Sequence, residues 1–382
     1  MKSVNVLVIG AGISGVSIAY HLARKGVEGI HVLDRGYFTN GATGRCGAGV
    51  RQQWASKTNC ELAKRSIDFF EHAKETLNYA GDLEFKQEGY LILAIDKEEE
   101  GQFKRNVALQ NEVGIPSRML TRDEALSVVP HLNRNAFMSA SFCPTDGHLN
   151  PFKMTEAFYL EAKRLGVTFS FFEELLSIET KAGRIVGATT DRTTYRTEQI
   201  VNAAGGYARE VGLMAGIDIP VYSENHQILV TEPIERMQGP MVISFKKNIY
   251  CQQVPHGSFL MGRSDPDVKP GHDTESTWRF LDEMAKTLVD IMPAIGKLRV
   301  IRQWGGSYNM SKDRQPIISD VANLDGFYLA CGFSGHGFMF APMTGLLISE
   351  MMTGEKMSAD MDALSLERFE NMEDDRIERS VV

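Results

Sequence analysis

Apolar and polar positions along the first 35 residues predict a strand, a helix and a second strand. Residues 4–9 form an apolar run rich in Val and Ile, which is typical of a buried parallel strand. Residues 13–25 carry apolar side chains at helical spacing, and Gly26 follows them as a residue suited to a helix C-terminus. Residues 30–34 are again apolar, so the pattern predicts one βαβ unit.

The later pattern predicts further helices and strands. Helices are expected near 58–79, 101–113, 121–129, 151–166 and 274–291 and after Pro342, and strands at 84–94, 167–202, across much of 221–304, near 317 and at 327–331. Thr121 and Glu124 have the spacing of a capping box, and Asn150 with Pro151 suits the start of a helix. The charged tail from about residue 366 is expected to be a loose helix. No Pro- or Ser-rich linker marks a boundary, which suggests that two domains interleave.

Composition limits the classes of protein to consider. A chain of 382 residues exceeds what one core usually serves, so two domains are expected. The net charge of −8, without a cluster of Lys and Arg, argues against a nucleic-acid partner. No apolar stretch is long enough to cross a bilayer, and the N-terminus does not resemble a signal peptide. Five widely separated cysteines predict neither a disulfide framework nor a metal site, and they favour a reducing cytoplasm.

The segment Gly10-Ala11-Gly12-Ile13-Ser14-Gly15 follows the first strand and opens the first helix. Gly10 permits a tight turn, Gly12 lets the backbone approach a pyrophosphate, and Gly15 permits close packing of helix and sheet. The helix N-terminus offers free N–H groups to that pyrophosphate. Asp34 ends the next strand, where a carboxylate can accept from ribose hydroxyls. The context predicts dinucleotide binding rather than an incidental turn, and it does not separate NAD from FAD.

Three other segments are rich in glycine or small residues. Residues 41–54 contain four glycines and form either a plain loop or a loop lying against a flat cofactor ring. Residues 201–205 are an apolar strand ending in small residues, which by itself fits any strand end. Residues 331–342 place three glycines around His336 at a predicted helix start, and this arrangement suggests backbone contact with an electron-rich group.

Together these segments resemble the FAD-dependent amine oxidoreductases of the D-amino-acid oxidase superfamily. The similarity is greatest to the β-subunits of heteromeric sarcosine oxidase and of dye-linked L-proline dehydrogenase, and glycine oxidase and monomeric sarcosine oxidase are also similar. It extends over nearly the whole chain and includes the RCGAGVRQQW loop at 45–54, DGHLNP at 146–151, HQILVTEP at 226–233 and CGFSGHGFMFAP at 331–342.

The resemblance implies an α/β architecture (α+β overall), in which a Rossmann-like FAD-binding domain interleaves with a mixed-sheet substrate domain. The FAD-binding domain would comprise residues 1–85, 145–220 and 305–382. The substrate domain would comprise residues 86–144 and 221–304 and would roof the flavin.

The same resemblance implies which residues meet FAD. The dinucleotide half would contact Gly10, Gly12, Ile13, Ser14, Gly15, Asp34 and Arg35, with Leu175 near adenine. Thr43, Arg45, Cys46, Gly47 and Ala48 would lie along the isoalloxazine, and Ala203, Ala204 and Gly205 would back the ribityl–pyrophosphate. Gly332, Gly335, His336, Gly337, Phe338 and Met339 would lie near the pyrimidine edge of the flavin.

The implied activity is oxidation of the C–N bond of a small amino acid or secondary amine, of the proline, sarcosine or glycine type, by hydride transfer to flavin N5. Arg51 matches a family position that binds the substrate carboxylate, for which a bidentate guanidinium is suited; the alternative is a surface arginine. Tyr250 and Tyr308 are candidate hydroxyl donors or ordinary aromatic residues. His226 is a substrate contact or a satisfied sheet histidine. Cys46 is a reactive thiol or a small packed residue.

The sequence departs from the pattern of monomeric sarcosine oxidase at three positions. Residues 305–308 lack the Cys that ties FAD covalently, so non-covalent FAD is expected. Met339 replaces a second cation for the substrate. Leu260 falls near the Lys that promotes the oxygen reaction, which favours a dehydrogenase over an oxidase.

The heteromeric sarcosine oxidases carry FMN on a His that aligns with Phe152. Covalent FMN is therefore not expected, whereas non-covalent FMN at a subunit interface stays open. The resemblance also implies a hetero-oligomer with another redox subunit. Two other interpretations remain: an FAD-containing electron-transfer or structural subunit without a substrate site, and an amine-oxidising module that acts on tRNA. The acidic balance of the chain disfavours the second.

Overall fold

The structure is a computed structural model that describes residues 1–265, 267–370, 377–378 and 380. Its helices are α1 (Ile13–Arg24), α2 (Lys57–Glu71), α3 (Ala73–Thr76), α4 (Lys97–Glu112), α5 (Arg122–Val128), α6 (Pro151–Arg164), α7 (Ala208–Met214), α8 (Trp278–Ile291) and α9 (Gly337–Thr353). Its strands are β1 (Lys2–Ser3), β2 (Val6–Ile9), β3 (Ile30–Asp34), β4 (Gly49–Val50), β5 (Tyr90–Ala94), β6 (Arg118–Thr121), β7 (Ser139–Cys143), β8 (Gly147–His148), β9 (Thr168–Phe171), β10 (Leu175–Lys181), β11 (Arg184–Thr190), β12 (Thr194–Arg196), β13 (Ile200–Asn202), β14 (Val221–Thr231), β15 (Met241–Ser244), β16 (Ile249–Gln253), β17 (Phe259–Arg263), β18 (Val300–Ser311), β19 (Ile317–Asp320) and β20 (Phe327–Cys331).

A six-stranded sheet, in the order β19-β20-β13-β2-β3-β9, carries the predicted βαβ unit. Its strands run parallel apart from β19, which pairs antiparallel with β20 at one edge. β2, α1 and β3 confirm the predicted strand–helix–strand order, and all four residues of β2 are buried. α1 packs closely on α9, where the Ser17 hydroxyl donates to the carbonyl of Ala341 at 2.8 Å.

An eight-stranded mixed sheet follows the order β18-β14-β17-β16-β15-β5-β7-β6. β14 and β18 form its longest pairing, which is antiparallel and runs from Val221 opposite Ser311 to Thr231 opposite Val300. Apolar side chains from this sheet, α5 and α8 form a separate core. A smaller sheet follows the order β1-β12-β11-β10, and its apolar side chains share a core with strands of the six-stranded sheet. β4 pairs with β8. The mixed α/β architecture is therefore confirmed.

The two larger sheets use different stretches of the chain. The six-stranded sheet draws on strands before residue 35, between 168 and 202, and between 317 and 331, whereas the eight-stranded sheet draws on 90–143 and 221–311. β18 continues past residue 305 within the eight-stranded sheet. The division into two domains at 85, 145, 220 and 305 stays a prediction.

Helix boundaries differ from the predicted ones at three places. The helix expected at 58–79 is interrupted at His72, where α3 begins after α2. The helix expected from 274 begins only at Trp278, because the carbonyl of Thr274 accepts from the N–H of Gly305 in β18. The last helix begins at Gly337 rather than after Pro342, which lies inside α9.

Other predicted elements form as expected or begin late. The capping box is present, with Glu124 N–H donating to the Thr121 hydroxyl and Thr121 N–H donating to the Glu124 carboxylate. α6 starts at Pro151 with Asn150 as its N-cap. The strand expected at 84–94 is regular only from Tyr90, after positive φ angles at residues 84 and 89. Residues 367–369 form a 3-10 turn, and much of the predicted tail helix lies outside the described residues.

Within the described ranges, no helix has both the length and the apolar character needed to span a bilayer. Likewise, those ranges contain no group of three or more His, Cys, Asp or Glu side chains arranged to hold a metal ion. All five cysteines are unpaired.

Candidate active site

The turn between β2 and α1 is so tight that glycine is required at two positions. Gly10 has a φ of +108°, and a Cβ there would lie 2.4 Å from the carbonyl oxygen of Ala203. A Cβ at Gly15 would lie 1.9 Å from the carbonyl oxygen of Gly10. No side chain fits at such distances, so these glycines hold the turn against β13 and leave its backbone uncovered.

Asp34 ties this turn to the end of β3. One carboxylate oxygen accepts from Ala11 N–H and the other from Gly36 N–H, each at 2.8 Å. Each oxygen retains a lone pair for a further donor. The Thr43 hydroxyl accepts from Ile13 N–H at 3.1 Å and so brings the second glycine-rich loop to the N-terminus of α1.

A first cavity, here called the cofactor cavity, extends from this turn towards α9. Fourteen of the predicted cofactor residues line it: Gly10, Gly12, Ile13, Ser14, Asp34, Thr43, Arg45, Cys46, Ala203, Ala204, Gly205, Gly335, Gly337 and Phe338. Predicted residues therefore come together from five separate stretches of the chain.

Eight predicted cofactor residues do not line this cavity. Gly47, Ala48, His336 and Met339 line the neighbouring cavity instead. Gly15 packs against Gly10, and Gly332 packs against Ser311, Val221 and Ile317. Leu175 lies in an apolar core. The Arg35 guanidinium lies 3.5 Å from the ring centroid of Tyr207, which lines the cofactor cavity.

The polar groups of the cofactor cavity fit FAD. Ser307 and Asn309 line it, and the Ser307 hydroxyl and the Asn309 amide nitrogen are buried without a hydrogen-bond partner among the described residues. Buried polar atoms are normally paired, so these two call for a polar ligand. The bare glycine turn suits a pyrophosphate, and Asp34 suits ribose hydroxyls.

A second cavity, here called the substrate cavity, adjoins the first. Cys46, Tyr308, Gly335 and Phe338 line both. The other residues around it are Gly47, Ala48, Gly49, Arg51, Tyr90, Met241, Ile243, Phe245, Tyr250, His336 and Met339. Arg51, Tyr250 and Tyr308 thus meet as predicted candidates, whereas Tyr90 and the wall of Met241, Ile243 and Phe245 were not anticipated.

Arg51 is buried although it is charged. One guanidinium nitrogen, Nη1, donates to the carbonyl of Gln53 at 2.9 Å, and Nη2 donates to the carbonyl of Ser380. Its guanidinium carbon lies 4.0 Å from the ring centroid of Trp54. Burial lowers the pKa of Arg51, but a guanidinium remains protonated in proteins. Two of its five N–H groups are used in this way, which leaves donors for a ligand.

Two tyrosine rings of the substrate cavity rest on glycines. A Cβ at Gly262 would lie 2.3 Å from the Tyr250 hydroxyl, and a Cβ at Gly335 would lie 2.3 Å from the Tyr308 ring. Within the described chain, neither hydroxyl has a hydrogen-bond partner. Burial raises the pKa of both phenols, so both remain neutral donors at physiological pH.

The two histidines have different positions. His336 packs edge-on against Trp54, and burial, together with the Arg51 charge, holds the pKa of His336 well below its usual range, so it is neutral. His226 stacks on Tyr308 with ring centroids 3.7 Å apart and shares a 2.8 Å hydrogen bond with Glu224. His226 lines the cofactor cavity and is not among the residues around the substrate cavity.

The thiol of Cys46 lies where the cavities meet, and it donates to the carbonyl of Thr43 at 3.2 Å. Burial raises the pKa of Cys46 to about 11, so the thiol is protonated near neutral pH. This state matches a small packed residue rather than a nucleophile.

A third cavity, here called the outer cavity, is lined in part by the 45–47 segment. Arg45 lines both the cofactor cavity and the outer cavity. The His148 Nε2 and the Gln252 Oε1 are buried at the outer cavity without a hydrogen-bond partner among the described residues. Two exposed aromatic residues stand beside it, Tyr37 at 56% and Phe152 at 53% exposure.

Comparison with known proteins fits this arrangement. The DAO family model, described as FAD dependent oxidoreductase, matches residues 5–351. This chain belongs to the DAO family of FAD-dependent oxidoreductases. Within it, the sarcosine oxidase subunit beta of Rhodobacter capsulatus is 26% identical over 356 residues, covering 92% of this chain and 85% of that one.

Solved structures of this family are similar over almost the entire chain. The crystal structure of L-proline dehydrogenase from P. horikoshii is 36% identical, with a TM-score of 0.92 and coverage of 97% of this chain and 98% of that one. Glycine oxidase from Geobacillus kaustophilus shares the fold, with a TM-score of 0.87 at 21% identity and coverage of 96% and 99%.

Several residues around the cavities carried no recognisable signal in the sequence. Tyr90 follows an irregular segment and looks like an ordinary strand residue, and Phe245 follows β15 in a tight turn. Ser307 and Asn309 lie in the long strand β18, where alternation alone gives no indication of a ligand. The one available clue was Gly305-Gly306, because paired glycines inside a strand often mark a close approach of another group.

Proposed function

We propose that this protein oxidises the C–N bond of a small amino acid or secondary amine, of the proline, sarcosine or glycine type. The observation that carries the proposal is the junction of two cavities. One is built on the glycine turn and Asp34, and the other holds the buried guanidinium of Arg51. FAD, when bound in the first, supplies the acceptor for the electrons and hydrogen that leave the C–N unit.

Each side of the substrate cavity has a separate task in this proposal. Arg51 pairs with the substrate carboxylate, and its stacking on Trp54 fixes the plane of the guanidinium. The hydroxyls of Tyr250 and Tyr308 donate to the same carboxylate or its neighbouring polar group. Met241 and Ile243 provide an apolar wall for the aliphatic part of the substrate.

The charges around the cavity favour a substrate amine that has lost its proton. Arg51 is cationic and His336 is neutral, so no lining group described here offers an anion to hold an ammonium ion. A neutral amine carries the lone pair that assists loss of hydrogen from the adjacent carbon. The relatives named sarcosine oxidase, L-proline dehydrogenase and glycine oxidase support an amine as the substrate class.

Anaerobic bleaching of the flavin tests the proposal. The purified yellow protein is mixed without oxygen with L-proline, sarcosine, glycine or hydroxyproline, and absorbance of the oxidised flavin is followed. We expect at least one of these to bleach the flavin within seconds. If none does, while dithionite does, an FAD-containing electron-transfer or structural subunit becomes the better description.

We also propose that FAD is held without a covalent bond. Residues 305–308 read Gly-Gly-Ser-Tyr and offer no Cys for attachment. Precipitation with acid is expected to release the yellow colour into the supernatant. Colour that stays with the precipitate, and on the denatured chain in a gel, would contradict this.

We propose that the outer cavity binds FMN and that a partner chain with this second redox group docks beside it. The unpartnered His148 and Gln252 atoms offer polar contacts to a flavin, and the exposed rings of Tyr37 and Phe152 offer a surface for a second chain. The name of the sarcosine oxidase subunit beta supports a heteromer. Phe152 provides no atom for a covalent flavin link, so FMN there would be non-covalent.

Reoxidation tests this part of the proposal. We expect substrate-reduced protein to react slowly with air and quickly with an artificial dye, because the resemblance to monomeric sarcosine oxidase puts Leu260 near the Lys that promotes the oxygen reaction. Prompt formation of peroxide by the isolated chain, at the rate of turnover, would mean that no partner is needed.

We also propose that the protein is cytoplasmic and that its chain divides into two interleaved domains at residues 85, 145, 220 and 305.

A further inference from the structure

Asp146 is a fully buried carboxylate outside all three cavities, in the turn between β7 and β8. One of its oxygens, Oδ1, accepts from the backbone N–H of Gln52 at 2.7 Å. The other, Oδ2, accepts from the side-chain amide of Gln53 at 2.9 Å. A buried carboxylate loses the solvation that water gives a charge, so its retention here calls for a function.

Gln53 links this carboxylate to the substrate cavity. Its amide nitrogen donates to Asp146 and also to the carbonyl of Tyr90 at 3.0 Å, while its amide oxygen accepts from the Ser141 hydroxyl at 2.7 Å. The amide is thus fixed in one orientation. The carbonyl of Gln53 in turn accepts from Arg51 Nη1 at 2.9 Å. One chain of hydrogen bonds therefore runs from Asp146 through Gln53 to the guanidinium.

We propose that Asp146 is a positioning residue that sets the affinity of this protein for carboxylate-bearing ligands by holding Arg51 in place. The inference rests on the proposed function, in which Arg51 binds the substrate carboxylate. Asp146 fixes residues 52 and 53 from outside the cavities, and a displaced Gln53 carbonyl would release the Arg51 side chain from its orientation over Trp54.

Asp146→Asn is the variant of choice because it changes one group and no volume. In the wild type, both oxygens of Asp146 accept hydrogen bonds. In the variant, the side chain at position 146 has one NH₂ group, which in either orientation faces another donor: the N–H of Gln52 or the side-chain NH₂ of Gln53. Gln53 cannot compensate by flipping, because its oxygen would then face the Tyr90 carbonyl. One of these hydrogen bonds must be lost.

The probe is pyrrole-2-carboxylate, titrated into the FAD-loaded protein and followed through the flavin absorbance. We expect D146N to weaken binding about tenfold, with FAD content unchanged. E350Q makes the same exchange at a buried carboxylate near the far end of α9 and serves as the matched control. If D146N does not fold, S141A, which releases only the Gln53 amide oxygen, is expected to weaken binding by a smaller factor.

A double-mutant cycle with R51K separates the possible outcomes. If Asp146 acts through Arg51, D146N adds little once R51K is present. Additive losses, or no loss in D146N, overturn the inference while leaving Arg51 as the carboxylate group. No loss in R51K, or no binding of the probe by the wild-type protein, overturns the proposed carboxylate site itself, and the inference with it.

The pH profile is a readout that a purely structural role would leave unchanged. Burial raises the pKa of Asp146 to about 6, so its carboxylate takes up a proton at mildly acidic pH and can no longer accept from both partners. The other titratable groups that face it are Arg51, Tyr90 and Cys143, and none of these changes charge between pH 5 and 8. Binding of the probe should therefore weaken as pH falls through about 6 in the wild type and stay level in D146N. A flat wild-type profile contradicts the inference.

Discussion

The cofactor cavity and the substrate cavity meet at Cys46 and Tyr308, yet they are built in different ways. The first is formed largely by backbone, with Gly10 and Gly15 in positions where a Cβ has no room. The second is formed by side chains from the 46–51 loop, β5, β16, β18 and the start of α9. A backbone site tolerates little change, whereas a side-chain site can change its ligand by single substitutions. In the proposed function, the first cavity holds the cofactor and the second selects the substrate.

The largest expected effect comes from filling the backbone site. Gly15→Ala places a methyl group 1.9 Å from the Gly10 carbonyl oxygen, so the turn or α1 must move. We expect a loss of about 3 kcal/mol in the free energy of unfolding and a protein purified with little FAD. Gly271→Ala is the control, since nothing lies within 4 Å of a Cβ there, and it should be neutral. Equal stability of the two variants, measured by urea denaturation, would remove the steric argument.

Removing the Asp34 carboxylate from the backbone site has a smaller effect. Asp34→Ala deletes the acceptor for ribose hydroxyls and leaves the N–H groups of Ala11 and Gly36 without their partner. FAD affinity should fall by about 1.5–3 kcal/mol, whereas the chain should remain folded. Titration of the apoprotein with FAD measures this change, and Asp68→Ala, on the surface of α2, provides the control. An unaltered dissociation constant would show that Asp34 does not meet the ribose.

The smallest effect is expected from the side-chain cavity. Tyr250→Phe removes one hydroxyl that has no partner among the described residues and leaves the ring on Gly262. Substrate affinity should fall about fivefold, roughly 1 kcal/mol, and FAD content should not change. Tyr222→Phe, on an exposed part of β14, is the matched control. If Tyr250→Phe lowers FAD content instead, the hydroxyl belongs to the cofactor cavity, and the contrast between the two cavities weakens.

The two cavities also differ in how far the sequence predicted them. Gly10, Gly15 and Asp34 lie within 25 residues, and their spacing reflects one turn and two strands, so local reasoning was sufficient. Only part of what holds Arg51 is local: Gln53 and Trp54 are close in sequence. Ser380 lies 329 residues away, and Asp146, which contacts Gln53, lies 95 residues from Arg51. Such contacts depend on how the sheets pack, which spacing does not encode. Resemblance to a family indicated Arg51 itself but not the residues that hold it.

For the fold, too, the sequence predicted local features but not long-range contacts. The strand–helix–strand order of β2, α1 and β3 follows from local rules and forms as predicted. The same holds for the starts of α5 and α6, which have the predicted capping residues. The late start of α8 depends on the contact of Thr274 with β18, and the break between α2 and α3 at His72 has no counterpart in the predicted pattern. The eight-stranded sheet pairs β5 with β15, with Tyr90 opposite Met241, and no pattern in either stretch specifies that neighbour.

The measurement that tests the central claim most directly is stopped-flow reduction of the flavin in Arg51→Lys. Lysine keeps the charge but lacks the bidentate fork, so an amino acid that bleaches the wild-type flavin should bind with a loss of about 1.5–3 kcal/mol. We expect an apparent dissociation constant raised roughly 10- to 150-fold, with FAD content equal to that of the wild type. An unchanged dissociation constant would show that Arg51 does not bind the substrate carboxylate. A loss of FAD would show that the two cavities are not separate in function.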